Sequence, residues 1–423
     1  MIQKFCGSLA SVLLSFAVAA CSASGIGGPV GISADHRSFV DGKGRPCYWQ
    51  GDTQWELFQG FTEPEAAAIL EDRRSKGFNA IQVMLLGVGG GKKPNALGQK
   101  PFLNDALSTP NEAYFSVVDA IVKAAEQKDL VLVVGIYHKS PEYGKLVTMD
   151  NARSWGEWVG RRYRSAPNVI WSMYPVANAA YVPLVRELAA GLAQGDGGSH
   201  LITVHPDPSP ASSSWIHEEP WLSFNTLQSF SSGFLNHQMV AADYARTPVK
   251  PVVNAEARYE EEAGTTPLMV RNGAYWSCLA GGFYSFGHGG NWMHPKDWKK
   301  WIDSPASRQM KVLGDFFRSL DWWNLVPDRA VLSGLPKDAS AARSANRDWA
   351  LVYLASSGTA TVALDAVKAS GMARVSWMNP VTGTLQEVGS FPATGTRSFT
   401  TPEGWTDALL FVDGRGRPAS IRD

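Results

Sequence analysis

A carboxylate at the end of an apolar segment is the feature of this sequence with the clearest chemical meaning. Residues 250–261 read KPVVNAEARYEE, a short β-prone run that ends at Glu256. A fully buried strand is typically a continuous apolar run, and a carboxylate at its end is costly to bury unless the group is used. Parallel α/β barrels carry their catalytic groups at that end of each strand. Glu256 is therefore predicted to be a glycosidase-type carboxylate, and the alternative is a structural ion pair with Arg258.

Other apolar runs also end in side chains that suit a hydroxyl-rich ligand. Because the carboxyl ends of barrel strands meet at one rim, these side chains together predict a carbohydrate-binding site. Two alternatives stay open, a helix cap for Asp52 and a core position for His205. The predicted sugar-binding residues are Asp52, Trp55, Tyr174, His205, Gln228, Tyr259, His288 and Trp292.

Alternating strand and helix patterns predict the elements that position these groups. Eight strand-like runs separated by helical periodicity indicate a (β/α)8 TIM barrel over residues 26–322. No glycine-rich phosphate fingerprint follows the first strand, which argues against a nucleotide-binding fold. The predicted strands are Tyr48–Gly51, Phe78–Leu85, Leu130–Tyr137, Val169–Met173, Leu201–His205, Leu222–Gln228, Val252–Glu256 and Phe283–Gly287. The predicted helices are Glu63–Lys76, Glu112–Gln127, Ala152–Arg164, Val182–Gln194, Phe234–Ala245 and Leu268–Ala280.

From about Leu325 onward the pattern changes to short β-type runs separated by Gly, Pro, Ser and Asn. This pattern is typical of a small antiparallel β-sandwich, predicted over residues 323–415 and followed by a tail at 416–423. The segment Leu332–Asn346 is rich in Ser, Ala and Arg and is expected to be a surface connection. The predicted strands are Trp349–Leu354, Thr359–Leu364, Ala373–Met378, Thr384–Val388, Ser398–Thr400 and Ala408–Val412.

The composition narrows the class of partner. The chain has 423 residues, and its 39 basic and 39 acidic side chains balance, so no long-range field favours nucleic acid. The 16 Trp and 12 Tyr residues favour a carbohydrate partner, because aromatic rings stack on the apolar faces of sugars. No Cys/His cluster has zinc spacing, and neither a metal nor another cofactor is expected. The chain is expected to be a monomer.

The first 21 residues have the features of an export signal. A positive charge at Lys4 precedes the short apolar run Leu9–Ala20, which is too short to span a bilayer as a mature helix. The following Cys21 resembles the lipidated cysteine of a bacterial lipoprotein, which predicts a cell-envelope protein held at the outer membrane only by its lipid. The alternative is an ordinary secretory signal. Of the remaining cysteines, Cys47 and Cys278 could form a disulfide or stay as buried thiols.

Several motifs together resemble the apiosidase-like (DUF4038) glycoside hydrolases. The resemblance covers nearly all of residues 31–320, and the C-terminal region is similar to a collagen-binding-type β-sandwich. It implies a (β/α)8 barrel acting on plant or bacterial glycans, with Glu256 as the nucleophile of a retaining mechanism. It also implies sugar contacts from Asp52, His205, Gln228 and His288. The motifs are Gly51–Phe58, Lys76–Val83, Pro167–Trp171, His217–Leu222, the Glu256 segment, Arg271–Trp292, Leu325–Asp328 and Trp377–Gly383.

The sequence departs from the family pattern at two strand ends. Where the family has Gly-Gly-Asp after the fourth strand, with the Asp as general acid/base, this chain has Tyr174-Pro175-Val176. Where the family tends to have Gln-Ser-Gly-His, this chain has Gln228-Ser229-Phe230-Ser231. Either another acid has taken over, or the leaving group needs little protonation or help from Tyr174, or the barrel binds glycan without cleaving it. The alternative acids are Asp207, Glu218, Glu219, Glu142 and Asp150.

Overall fold

The structure is a computed structural model that describes residues 26–89, 91–176, 179–293, 295–334 and 337–415. The side chains of residues 174–176 are not among those described, and the predicted signal, Cys21 and the tail at 416–423 lie outside these ranges. Within the described ranges, no helix combines the length and apolar character needed to cross a bilayer.

A small antiparallel sheet closes the amino-terminal end of the barrel. Its strands are β1 (Gly31–Ile32), β2 (Phe39–Val40) and β3 (Pro46–Cys47), and a turn at Asp41–Gly44 joins β2 to β3. The fully buried ring of Phe39 lies 4.9–5.4 Å, centroid to centroid, from Trp49, Phe224 and Phe283. These three residues stand at or before the start of barrel strands, so Phe39 fills the barrel from below.

The predicted (β/α)8 barrel is confirmed. Eight parallel strands follow each other around the ring in the order β8-β7-β6-β5-β4-β11-β10-β9. The ring closes where Ser223 N donates to Ile202 O and Thr203 Oγ1 donates to Phe224 O. The strands are β4 (Gln50–Thr53), β5 (Ala80–Met84), β6 (Val131–Gly135), β7 (Val169–Val176), β8 (Ile202–Pro206), β9 (Asn225–Leu227), β10 (Val252–Asn254) and β11 (Phe283–Phe286).

Helices cover the outside of the ring, and their starts carry recognisable caps. Thr62 and Glu65 form a capping box at the first helix, and Thr266 and Ser304 cap two later ones. The helices are α1 (Glu63–Ser75), α2 (Glu112–Glu126), α3 (Pro141–Leu146), α4 (Ala152–Tyr163), α5 (Val182–Asp196), α6 (Ser213–Ile216), α7 (Leu235–Tyr244), α8 (Pro267–Leu279), α9 (Gly290–Met293), α10 (Trp298–Trp301) and α11 (Pro305–Arg318).

Helices α4 and α5, which precede and follow β7 in the chain, pack with their backbones in contact. A methyl group on Gly156 would lie 2.4 Å from Leu188 O, and one on Gly191 would lie 2.1 Å from Arg153 O. Only glycine allows so close an approach.

The predicted C-terminal β-structure is also confirmed. A six-stranded antiparallel sheet has the order β12-β13-β14-β19-β16-β17, and β15 pairs with β18. The prediction of a surface connection at Leu332–Asn346 is wrong, because this segment contains strand β13, which lies between β12 and β14 with Ala341 and Ala342 fully buried. The strands are β12 (Leu325–Pro327), β13 (Ser340–Ser344), β14 (Trp349–Leu354), β15 (Thr359–Ala363), β16 (Met372–Met378), β17 (Leu385–Pro392), β18 (Thr396–Thr400) and β19 (Ala408–Asp413).

A buried polar cluster docks the sandwich on helix α8. Arg271 donates to both oxygens of Asp407, at 2.6 and 3.1 Å, and both side chains are almost fully buried. Tyr353 donates to the same carboxylate at 2.7 Å, and its ring stacks on Tyr275 with centroids 4.5 Å apart. The sandwich is therefore joined to the barrel by a desolvated interface.

The two described cysteines are free thiols. Cys47 and Cys278 are both buried, and burial raises the pKa of each thiol to about 12. The hydroxyl of Tyr48 lies 3.1 Å from Cys278 Sγ. The disulfide left open by the sequence is therefore not formed.

The substitution Asp407→Asn tests the docking cluster. It leaves the Arg271 guanidinium buried without a counter-charge, so we expect the free energy of unfolding to fall by about 3–5 kcal/mol. Urea denaturation measures this change. The control is Glu187→Gln, which breaks the exposed Arg153–Glu187 pair and should leave the free energy of unfolding nearly unchanged. Equal, small losses in both variants would contradict the importance of the interface.

Candidate active site

Glu256 lies two residues beyond the end of β10, at the carboxyl-terminal mouth of the barrel. It is 6% exposed, and the main chain around it is held on two sides. Ala255 N donates to Leu227 O at 2.8 Å, and Gln82 Nε2 reaches across the barrel to Ala255 O at 2.7 Å. A third bond joins Phe230 N to Glu256 O at 3.2 Å. These three hydrogen bonds hold the backbone that presents this carboxyl group.

His205, near the end of β8, has its side chain against Glu256. Its Nε2 lies 3.4 Å from Glu256 Oε2, and its Nδ1 lies 3.0 Å from Pro206 O. Burial lowers the pKa of His205 to about 3, so the ring is neutral at neutral pH. In the neutral ring the Pro206 carbonyl accepts from Nδ1–H, which leaves Nε2 without a proton to donate to the Glu256 carboxylate. His205 therefore lies against Glu256 as a neutral ring and supplies no counter-charge to it.

Trp55 and Tyr259 form a buried wall beside this pair. Trp55 Nε1 donates to Tyr259 Oη at 2.7 Å, and the indole meets the ring of His205 edge-on with centroids 5.6 Å apart. The ring of Tyr259 leaves no room at Gly287, where a methyl group would lie 2.2 Å from it. The predicted residues Trp55, His205, Glu256 and Tyr259 are thus brought together.

Asp207 follows β8 and forms an ion pair with Lys139, which lies in the loop after β6. The side chain of Asp207 is 19% exposed and that of Lys139 is 37% exposed. His138 lies beside them, and burial, helped by the charge of Lys139, lowers its pKa to about 4. His138 and Lys139 were missed in the sequence, although they directly follow the third predicted strand, as the other candidates follow theirs.

Comparison with known families decides which barrel this is. Residues 33–324 match the family described as "Apiosidase-like, catalytic domain". The chain belongs to the apiosidase-like family. Residues 326–413 match "Putative collagen-binding domain of a collagenase", which agrees with the resemblance seen in the sequence.

Solved structures similar to this apiosidase-like protein are glycoside hydrolases. One, titled "Glycoside hydrolase", is 25% identical with a TM-score of 0.84, and the match covers 93% of this chain and 98% of that one. Another is a glycoside hydrolase family 5 protein from Bacteroides vulgatus, also 25% identical with a TM-score of 0.84, covering 92% of this chain and 94% of that one. No curated protein matches the chain.

The structure corrects the expectation that Asp52 binds sugar in this apiosidase-like barrel. Asp52 is fully buried, and its Oδ2 lies 3.2 Å from Arg73 Nε on α1 and accepts from Gln54 at 2.8 Å. Side chains alternate along a strand, and Asp52 faces the helix layer instead of the mouth. Burial raises its pKa to about 6, and Arg73 offsets only part of that rise. Asp52 therefore ties the first barrel strand to the first helix.

Glu218 is the second correction. The residue after it, Glu219, accepts at its carbonyl from Lys250 Nζ at 3.1 Å, and Lys250 precedes β10. The residue before it, His217, contacts Asn225 at the start of β9. Both contacts lie at the amino-terminal end of the strands, so the exposed Glu218 is not on the rim with Glu256.

The remaining predicted residues take different positions at the mouth. Gln228 is buried just after β9, and its carbonyl accepts from Ser209 N. His288 is buried after β11, where its ring stacks on Trp301 and its Nε2 lies 3.5 Å from Glu261 Oε2. Burial lowers the pKa of His288. Trp292 on α9 is 44% exposed and offers an open aromatic face, while Tyr174 lies in β7 with its side chain outside the described part of the chain.

The remodelled end of β9 has a structural role of its own. Ser229 donates to Asn236 on α7 at 2.7 Å, and Asn254 donates to the same oxygen. The guanidinium of Arg258 lies 4.1 Å from the ring centroid of Phe230, so Arg258 covers this ring instead of pairing with Glu256.

Within the described ranges, no group of three or more His, Cys, Asp or Glu side chains could hold a metal ion.

The substitution Asp52→Asn separates the two readings of this residue. Because it removes the carboxylate nearest to the buried Arg73 and leaves only the more distant Asp72, 3.8 Å from Arg73 Nε, we expect the free energy of unfolding to fall by up to about 3–5 kcal/mol, with glycan affinity unchanged. Urea denaturation and glycan titration measure the two effects. The control is Asp129→Asn, which removes an exposed partner of Arg74 on the same helix. Unchanged stability with weakened glycan binding would restore the sugar-contact reading.

Proposed function

We propose that this protein is an exported glycoside hydrolase that cleaves an oligo- or polysaccharide through Glu256. The observation that carries the proposal is the placement of this carboxyl group. It is nearly buried at the mouth of a barrel of the apiosidase-like family, on a backbone fixed by Leu227 and Gln82, with Oε2 at 3.4 Å from the neutral ring of His205.

The chemistry we propose is nucleophilic attack by Glu256 on the anomeric carbon. Retaining glycosidases use one carboxylate for this attack and a second carboxyl, about 5–5.5 Å away, to protonate the leaving oxygen. Aromatic side chains support such a site, because Trp55 and Tyr259 exclude water beside Glu256 and Trp292 offers an exposed ring for a sugar face.

Export and anchoring are part of the proposal and rest on the sequence alone. The charged, apolar and small residues before Cys21 support cleavage by a lipoprotein pathway, with the lipid on Cys21 holding the protein at the bacterial outer membrane. The proposed substrate would then be met in the cell envelope or outside the cell.

A glycan-binding protein without activity is the second candidate function. It is favoured by one observation, that Tyr174-Pro175-Val176 stands at the end of β7, where the family has its general acid. Loss of a general acid typically lowers the rate by about 10²–10⁴-fold, so this change alone does not abolish hydrolysis.

The substitution Glu256→Gln tests the function. The protein without residues 1–21 is screened on aryl glycosides and on plant and bacterial polysaccharides, and released sugar is measured. We expect the parent to release sugar and Glu256→Gln to be inactive, with a melting temperature within a few degrees of the parent. Glu218→Gln, a change of the same kind at the opposite end of the barrel, should keep full activity.

Two outcomes contradict the hydrolase proposal. If the parent releases no sugar from any substrate, while the parent and Glu256→Gln both bind glycan, the result supports the binding function. Unfolding of Glu256→Gln, with an intact Glu218→Gln control, assigns Glu256 a structural role instead.

A further inference from the structure

We propose that Asp207, positioned by Lys139, is the second carboxyl group of the reaction and replaces the acid missing from β7. The inference rests on the proposed function of Glu256. It concerns a different strand end from the one that carries the acid in the family pattern.

The ion pair between Lys139 and Asp207 spans the altered strand end. Lys139 follows β6 and Asp207 follows β8, and β7 lies between these two strands in the sheet. The pairing of β7 with β8 is irregular between Met173 and Val176, which is the segment where the family motif is lost. The two flanking loops therefore place a carboxyl group beside the end of β7.

The backbone of β8 directs Asp207 toward Glu256. Pro208 continues the parallel pairing of this segment with Gln228, so the chain stays extended through Asp207. Alternate residues of an extended chain share a face, so Asp207 faces the same side as His205, which contacts Glu256. Residues two apart on one face are separated by about 6–7 Å, so Asp207 follows His205 on that face, nearer to the mouth of the barrel.

The other acids of the sequence fit the role less well. Glu142 lies on α3, where it is exposed and pairs with Lys145, and Asp150 is exposed in the following loop. Glu218 lies at the opposite end of the barrel. His138 has its Nδ1 engaged by Ser140 N at 3.0 Å, and burial keeps its ring neutral at neutral pH.

The proposed reaction has two balanced steps. The reacting form carries a proton on Asp207 Oδ1, taken up from water, while Lys139 donates to Oδ2. Glu256 bonds to the anomeric carbon while the bond to the leaving oxygen breaks with its electron pair on oxygen, and that oxygen takes this proton from Asp207 Oδ1. Water then returns a proton to Asp207 and bonds through oxygen to the anomeric carbon, which releases Glu256. Lys139 donates to Oδ2 throughout, and so it is a positioning residue.

The test compares leaving groups on aryl glycosides of the sugar that the parent cleaves. Loss of the acid lowers the cleavage rate strongly when the leaving group is a phenol that needs protonation. It lowers the rate little when the leaving group is dinitrophenolate, which leaves without a proton. We expect Asp207→Asn to lower kcat/KM by about 10²–10⁴-fold for the poor leaving group and by less than about tenfold for the good one. Glu218→Gln should match the parent with both, and melting temperatures confirm that the variants are folded.

Variants of Lys139 test the positioning role. Lys139→Met should show the same leaving-group dependence as Asp207→Asn, with a smaller fold-loss in kcat/KM. Lys139→Arg should keep part of the activity that Lys139→Met loses, because it keeps a donor for Oδ2. A purely structural ion pair would lower the rate on both substrates equally, and that result would overturn the inference.

The outcomes separate this inference from the proposed function. An active parent with an inactive Glu256→Gln, and with Asp207→Asn active on both leaving groups, overturns the role of Asp207 alone. An Asp207→Asn variant that fails to fold is replaced by Lys139→Met, whose equal activity on both leaving groups also overturns it. A parent that is silent on every glycoside overturns both proposals.

Discussion

Closure of the parallel sheet between β8 and β9 is the constraint on which the site depends. In an open sheet the ends of β5 and β10 would be far apart, whereas in the closed ring Gln82 on β5 reaches the carbonyl of Ala255 just after β10. That bond fixes the residue before Glu256. The same closure brings His205 on β8 to the carboxyl group of Glu256. Phe39 fills the opposite end and keeps the ring packed.

The alternation of side chains along each strand decides which polar groups face the mouth. On β4, Asp52 faces the helices and is neutralised by Arg73, whereas on β8 His205 faces inward. Behind β10, Asn254 joins Ser229 and Asn236 in a buried network. These outward groups need partners because burial without them is costly. The barrel thus has a structural polar layer behind the strands and a second polar layer at the mouth, with similar residue types in both.

The sequence predicted the strands and helices well because their apolar periodicity is strong, and it placed Glu256 at the mouth because that residue ends a buried run; the catalytic role of Glu256 stays a prediction. It failed where the signal was weak or local. Strand β13 was missed because its buried side chains are Ser and Ala, which lack an apolar pattern. Asp52 was misplaced because the direction of a side chain depends on the strand register. Glu218 was misplaced because the loop before β9 returns to the amino-terminal end of the barrel strands. The Lys139–Asp207 ion pair was missed because its partners follow β6 and β8, which are far apart in the sequence and come close only in the folded sheet.

Covalent labelling is the sharpest test of Glu256 as the nucleophile. An activated 2-fluoro glycoside of the sugar that the protein cleaves would trap the glycosyl-enzyme intermediate, and mass spectrometry of the digested protein would locate it. We expect one sugar per chain, on the peptide that contains Glu256, and a loss of activity proportional to the labelled fraction. Stoichiometric inactivation with the label on another carboxyl group would contradict it.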